Sequence, residues 1–437
     1  MYMVCQQPSA HKHLCRILSA RIMPLRTCLV RSIAVVVCST VFAAPAAAQE
    51  QPAAAATPAW SWMADGSLFA TFNDQRSARG ESQFRSQNWL MAMATRAAGK
   101  GQLTLSGMFS LDPVTVTKRG YSELFQMGEA YQKLENIDRQ HPHDLFSQLA
   151  VGWRVPMGKA SAFTITGAPV GEATLGPVAF MHRLSASENP TAPLAHHTLD
   201  STHISQGVIA AAVDLGPVTL EGSAFHGREP DEKRYGITPG ALDSWATRLW
   251  YRPSNAWIAQ VSYGFLHQPE ELEPGNIKRT TGSLTWTRER VDHAFSITGA
   301  LGHNTRTYTK LSAFLLEALA RKGRTSAYTR IELLHVETEH LLFPTVVHRP
   351  HPGELIDPLN AYTVGAVRDL PSARWFSVGL GGDVTFYNVP VRLRPFYGDR
   401  PVAIHIFARV RPHGGRFMRM WNMTMTEPMR HSGVSMP

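Results

Sequence analysis

Beyond residue 38 the chain has no cysteine. All four, Cys5, Cys15, Cys28 and Cys38, precede residue 49. The body of the protein is therefore expected to carry neither a disulfide nor a thiolate metal site. Long apolar runs are also missing. Nothing after residue 48 approaches the ~18 consecutive apolar residues of a membrane helix, and no long segment keeps a capped 3.6-residue period. Charged residues make up only 18% against 44% hydrophobic, which is too apolar for a disordered chain. The net charge of +9 is unevenly placed. Lys12, Arg16, Arg21, Arg26 and Arg31 precede residue 49 with no acid among them, leaving 38 bases against 34 acids in the remainder. That balance excludes nucleic acid as an expected partner.

The start has the pattern of an export signal. Arg26 and Arg31 form a positive stretch, Ile33 to Ala44 a short apolar one, and Ala46-Ala47-Ala48 a small-residue cleavage site before Gln49. Residues 1–48 are read as a signal peptide with an N-terminal extension, the true start being Met23. Export of such a chain points to the envelope of a Gram-negative bacterium.

What recurs after residue 49 is strict alternation over about ten residues, the mark of a strand with one apolar face. In Val402–Arg411, the residues Val402, Ile404, Ile406, Ala408 and Val410 alternate with Ala403, His405, Phe407, Arg409 and Arg411. Trp375–Tyr387, Trp257–Phe265 and Leu149–Val155 behave alike. Such segments start near 60, 86, 101, 144, 160, 203, 218, 244, 256, 278, 292, 311, 324, 360, 373 and 402. Tight turns such as Pro156–Lys159, Leu215–Pro217 and Arg321–Gly323 alternate with longer loops such as 112–143, 170–202 and 336–359. This predicts an all-β fold: a closed antiparallel up-and-down transmembrane barrel of about 16 strands, within roughly 14 to 18. It would occupy 49–411, followed by a Met-rich tail over 412–437. Closure is required because lipid offers no hydrogen bonds to a sheet edge. Aromatics including Trp153, Trp245, Trp250, Trp257, Trp286 and Trp375 suit interfacial girdles. A soluble sandwich does not sort its loops by length, and a propeller would show a blade repeat.

Most histidines fall in the long loops. Two loops are densest: one carries His141, His143 and Asp144, the other His182, His196, His197, Asp200 and His203. Loops this long in a compact fold are usually functional, and these are expected to fold inward as a lid or constriction. Imidazoles beside carboxylates are the makings of a Zn²⁺ or Cu²⁺ site. The candidate ligands are His141, His143, Asp144, His182, His196, His197 and His203. The alternative is that these rings merely hydrogen-bond and pack within their loops. In the tail, Met418, Met420, Met423 and Met425 are soft donors suited to Cu(I), or else part of a free tail.

The stretches Asp138-Arg139-Gln140-His141-Pro142-His143-Asp144-Leu145-Phe146, Ala179 to Arg183 and Asp200 to Ser205 resemble those of a group of porin-like bacterial outer-membrane β-barrel proteins without an assigned activity. Members of that group accompany copper or other heavy-metal handling systems. The resemblance implies a location and a fold.

Three functions remain open. The first is a porin-like channel or metal-associated envelope protein, with Arg154, Arg248, Arg330, Glu332, Asp383 and Arg409 lining a wet lumen. The second is a lipolytic enzyme. His203-Ile204-Ser205-Gln206-Gly207 partly resembles the His-x-Ser-Asn-Gly element of outer-membrane phospholipase A, which implies His203 and Ser205 as catalytic candidates; Gln206 stands where that family has Asn, and the resemblance identifies no orienting third residue, for which Asp200 is the candidate. The third is a structural or adhesive barrel. The sequence establishes no resident cofactor; Cu or Zn is the candidate. Expected partners are outer-membrane lipid, small solutes or metal ions, the barrel-assembly machinery and further copies of the chain.

Overall fold

A computed structural model describes residues 59–427 except 129, 239, 344–350, 372–374 and 414–420. The signal segment, Met418, Met420 and Ser372 of the expected turn Leu370–Ser372 lie outside the described residues.

Sixteen strands form the wall. They are β1 (Ser61–Arg76), β2 (in two pieces, Ser82–Arg85 and Asn88–Ala98), β3 (Gly101–Phe109), β4 (Phe146–Pro156), β5 (Ser161–Gly171), β6 (Ser205–Leu215), β7 (Val218–His226) and β8 (Ser244–Ser254). Then follow β9 (Trp257–Leu266), β10 (Ile277–Glu289), β11 (His293–Thr305), β12 (Lys310–Lys322), β13 (Thr325–Glu337), β14 (Ile356–Asp369), β15 (Phe376–Asn388) and β16 (Val402–Pro412). Each pairs antiparallel with its sequence neighbours. The sheet closes through β1, which pairs with β2 from Ser61↔Thr95 to Leu68↔Asn88 and with β16 from Leu68↔Val410 to Arg76↔Val402. Closure leaves no edge and satisfies the backbone within the sheet, as lipid demands.

The faces sort as the alternation requires. On β16 the residues Ala403, His405, Phe407, Arg409 and Arg411 are buried, whereas Ile406 is 62% exposed. Leu105, Val151, Ile209, Leu249, Val261, Val364 and Leu380 likewise face outward, forming an apolar belt. Trp153, Trp245, Trp257 and Trp375 belong to it. Trp250 does not. It is buried inside, donating from Nε1 to Glu221 at 2.9 Å, with the Arg248 and Arg252 guanidiniums over its ring. Its indole N–H finds in the interior a carboxylate that lipid could not supply.

Sixteen strands alone would enclose water, but this lumen is filled. Segment 172–204, between β5 and β6, runs inward and is buried along almost all its length. It touches opposite walls. Thr174 N donates to Ser223 of β7 at 3.0 Å, Gly176 N to Ser262 of β9 at 2.9 Å and Ala195 N to Glu332 of β13 at 3.0 Å. Ser185 shares a hydroxyl bond with Thr298 of β11 at 2.8 Å, and Gln87 donates to the Pro190 carbonyl. Wall polar groups thus satisfy an irregular backbone that could not otherwise be buried. The tail enters as well. Met425 packs with Ala150, Leu175 and Phe225, Thr426 donates to Glu221, and Arg252 pairs with Glu427 at 2.6 Å.

Candidate functional site

The two histidine-bearing loops meet at the end of the barrel that carries the long connections. Residues 110–145 precede β4 and bring His141 and His143, while 172–204 bring His196 and His197 on a single helical turn, His196–Leu199, and His203 just before β6. The rings form a chain of edge contacts. Centroids lie 6.0 Å apart for His141–His143, 6.2 Å for His141–His197, 6.1 Å for His143–His203, 5.3 Å for His196–His197 and 5.0 Å for His196–His203. They line a small cavity with Asp144, Ser201, Glu229 and Arg234.

Four of these rings have Nδ1 next to an oxygen acceptor. His143 Nδ1 donates to Asp112 at 3.1 Å, His196 Nδ1 to Asp200 Oδ1 at 2.7 Å, His203 Nδ1 to the Asp200 carbonyl at 2.8 Å and His141 Nδ1 to the Pro142 carbonyl at 3.3 Å. An acceptor there fixes the proton on Nδ1 and leaves Nε2 as the lone-pair nitrogen, the tautomer a metal ligand needs. His203 Nε2 is buried and has no hydrogen-bond partner. Burial favours the neutral form of three of the rings. It lowers His141 well below the usual imidazole range, takes His203 down to about 3, and lowers His196 despite the opposing pull of Asp200.

Among the described residues, two groups of three donor atoms lie within 4.8 Å of one another: His197 with Glu229 and Glu270, and Glu273 with Glu337 and His340. The first joins the histidine cluster through His197, whose Nδ1 is 3.4 Å from Glu229. Burial and the neighbouring Glu229 carboxylate push Glu270 up to about 8. The second already holds a cation, because Arg306 reaches both Glu273 and Glu337. Sequence reasoning missed Glu229 and Glu270, which lie in acid-rich loops, Glu229 to Glu232 and Glu270 to Glu273, that have the pattern of solvated charge.

The other predicted residues are dispersed. Asp144 is held by Arg234 at 3.1 Å. His182 stands apart, its ring 5.2 Å from that of Trp89. Ser205 Oγ donates to the Thr202 carbonyl at 3.1 Å while His203 Nδ1 donates to the Asp200 carbonyl at 2.8 Å, so the two side chains turn to different acceptors. All six predicted lumen residues face inward, but they are paired. Arg154 meets Asp214, Arg248 meets Glu221 and Glu172, Arg330 meets Glu317, Arg409 meets Glu188 and Asp369, and Asp383 meets His405 at 2.6 Å and Tyr328 at 2.7 Å. Glu332 accepts from Ala195 N. Except for Arg154 they are buried.

No family model and no curated protein matches the chain. Among solved structures it is similar to OmpTdeltaL8, a loop-deletion mutant of an outer membrane protein of Vibrio cholerae, at 10% identity and a TM-score of 0.47, over 80% of this chain and 99% of that one. It is also similar to Pseudomonas putida OprB, at 9% identity and 0.47 over 81% and 94% of the two chains. A third is Salmonella typhi OmpF in complex with daunomycin, at 8% identity and 0.46 over 80% and 97%.

Proposed function

We propose that this chain is a porin-like outer-membrane barrel of a Gram-negative bacterium, closed at rest by its own inward segment, that takes up a divalent transition metal, Zn²⁺ or Cu²⁺, at its long-loop rim. The membrane reading rests on a closed sheet with an apolar outer belt and a polar interior. The metal reading rests on one observation: the ligand atoms of His197, Glu229 and Glu270 lie within 4.8 Å of one another, beside four clustered imidazoles whose Nδ1 atoms sit on oxygen acceptors. Passage of a small solute then requires segment 172–204 to move.

Isothermal titration of refolded, detergent-solubilised protein with Zn²⁺ or Cu²⁺ tests the metal. Replacing His141, His143, His196 and His197 together by alanine is expected to abolish tight binding. A quadruple variant that binds as the parent does overturns the assignment.

A further inference from the structure

A second cluster of donors lies inside the barrel, away from the rim. Met63 of β1 stands directly across from Met93 of β2, and Met91 of β2 across from Met108 of β3. Residues directly opposite in an antiparallel pair hold their Cβ atoms about 5 Å apart, so four thioethers share one patch of wall. All four point into the lumen and are 2–8% exposed. Two further segments bring sulfur to the same patch. Met181 arrives on the inward segment, at 7% exposure, and Met423 on the tail. Six methionines thus converge from the wall, the inward segment and the tail. Trp89 and Phe180 pack against them, and His182 follows Met181 and stacks edge-on to Trp89.

Composition separates this patch from an ordinary core. The other large apolar clusters inside the barrel are built mainly of Leu, Ala, Val and aromatic residues. Here, apart from Ala179, every fully buried member is methionine. One methionine fills an irregular gap; cross-strand pairs of them on a regular wall have no gap to fill. A small cavity adjoins the cluster, lined by Met108, Met181, Trp89, Phe180 and Trp421. Asp65, across from Met91, supplies a carboxylate beside the patch.

We infer that this methionine wall is a binding site for a soft monovalent cation, Cu(I) or Ag(I). Uncharged thioethers suit a soft ion of low charge and bind hard or divalent ions poorly. The site therefore differs from the rim in donor, ion and place, and does not depend on the rim reading.

The test uses Ag⁺, which needs no reductant, titrated into the refolded full barrel, with X-ray absorption at the silver edge to identify the neighbours. One tightly bound Ag⁺ per chain with sulfur neighbours is expected. Met63→Leu/Met91→Leu/Met93→Leu keeps the side-chain volume while removing three sulfurs, and is expected to lose that ion. Met181→Leu, on the inward segment rather than the wall, is expected to weaken binding about tenfold or more and keeps the test decisive should the triple variant not fold. The rim variant lacking His141, His143, His196 and His197 is expected to bind Ag⁺ unchanged. A parent that binds no Ag⁺, Ag⁺ bound without sulfur neighbours, or Met181→Leu binding as the parent does overturns the inference.

Discussion

Arg183 grips Glu317 with two hydrogen bonds, Nε to Oε2 at 2.8 Å and Nη2 to Oε1 at 3.3 Å. One residue belongs to the inward segment, the other to β12 of the wall, and both side chains are about 1% exposed. Arg183 also ties its own segment together, donating from Nη1 to Asp200 at 2.9 Å and to the Val178 carbonyl at 2.8 Å. Asp200 in turn accepts from His196. The contact that fastens the plug thus shares a carboxylate with the histidine cluster at the rim.

Glu317→Gln should loosen the plug. It leaves Arg183 and Arg330 buried with one charge partner fewer, and breaking a buried pair in this way costs about 3–5 kcal/mol. Planar-bilayer recordings are expected to show rare openings for the parent and frequent ones for the variant. Equal conductance in both would mean that segment 172–204 does not close the lumen.

The tail provides a second closure. Truncation after His413 removes Met425 from its apolar cluster and Glu427 from Arg252 and Thr219. The variant is expected to fold, since every strand is complete, and to conduct more than the parent. A tail that hangs free of the lumen would leave the conductance as it was.

Metal binding at the rim should strengthen with pH in a particular way. Burial already favours the neutral form of His141, His196 and His203, the last lowered to about 3. Glu270, pushed up to about 8, still holds its proton at neutral pH. Metal must displace that proton, so affinity should rise by about tenfold per pH unit up to about 8 and then level off. Glu270→Gln should bind more weakly and show a flat profile. A rise that stops near the ordinary imidazole value would assign the controlling proton to histidine instead.

The wall was legible because a strand with lipid on one side must keep that face apolar, and Val402–Arg411 does so throughout, with His405, Arg409 and Arg411 on the other face. Arg321–Gly323 was legible as a turn because Gly323 supplies the positive φ, +57°, that the reversal needs. Trp250 was not, since an indole fits an interfacial belt and a polar lumen equally well by composition, and only its partner Glu221 on β7 decides. The meeting of the two histidine loops, expected to fold inward, left its partners unread. Glu229 and Glu270 come from other loops, and no local pattern encodes contacts at such separations. Met63, Met91 and Met93 did carry a signal: they share the side of their strands that holds Asp65 and Thr95, where a barrel should be polar.

The rim loops should also respond to pH through His340. Burial alone would lower its pKa, but the hydrogen bond and charge of Glu273, with Glu135 nearby, raise it to about 9. Its Nε2 is 2.9 Å from Glu273 and 3.4 Å from Glu354, and its Nδ1 is 3.6 Å from Glu135, so one imidazolium ties three loops. Arg306 and Glu270 face the same pocket. Because the folded value lies above the ordinary 6.5, the tie contributes fully below about pH 6.5 and is lost as pH rises through about 9. Deprotonation of Glu270 near pH 8 adds repulsion in the same direction. Hydrogen exchange over 336–343 should therefore quicken between pH 6.5 and 9.5 beyond the intrinsic base-catalysed increase. His340→Gln should exchange faster at pH 6.5 and show only the intrinsic increase thereafter. A variant that keeps the parent's excess would place the switch in the carboxylates around Arg306 rather than in the imidazole.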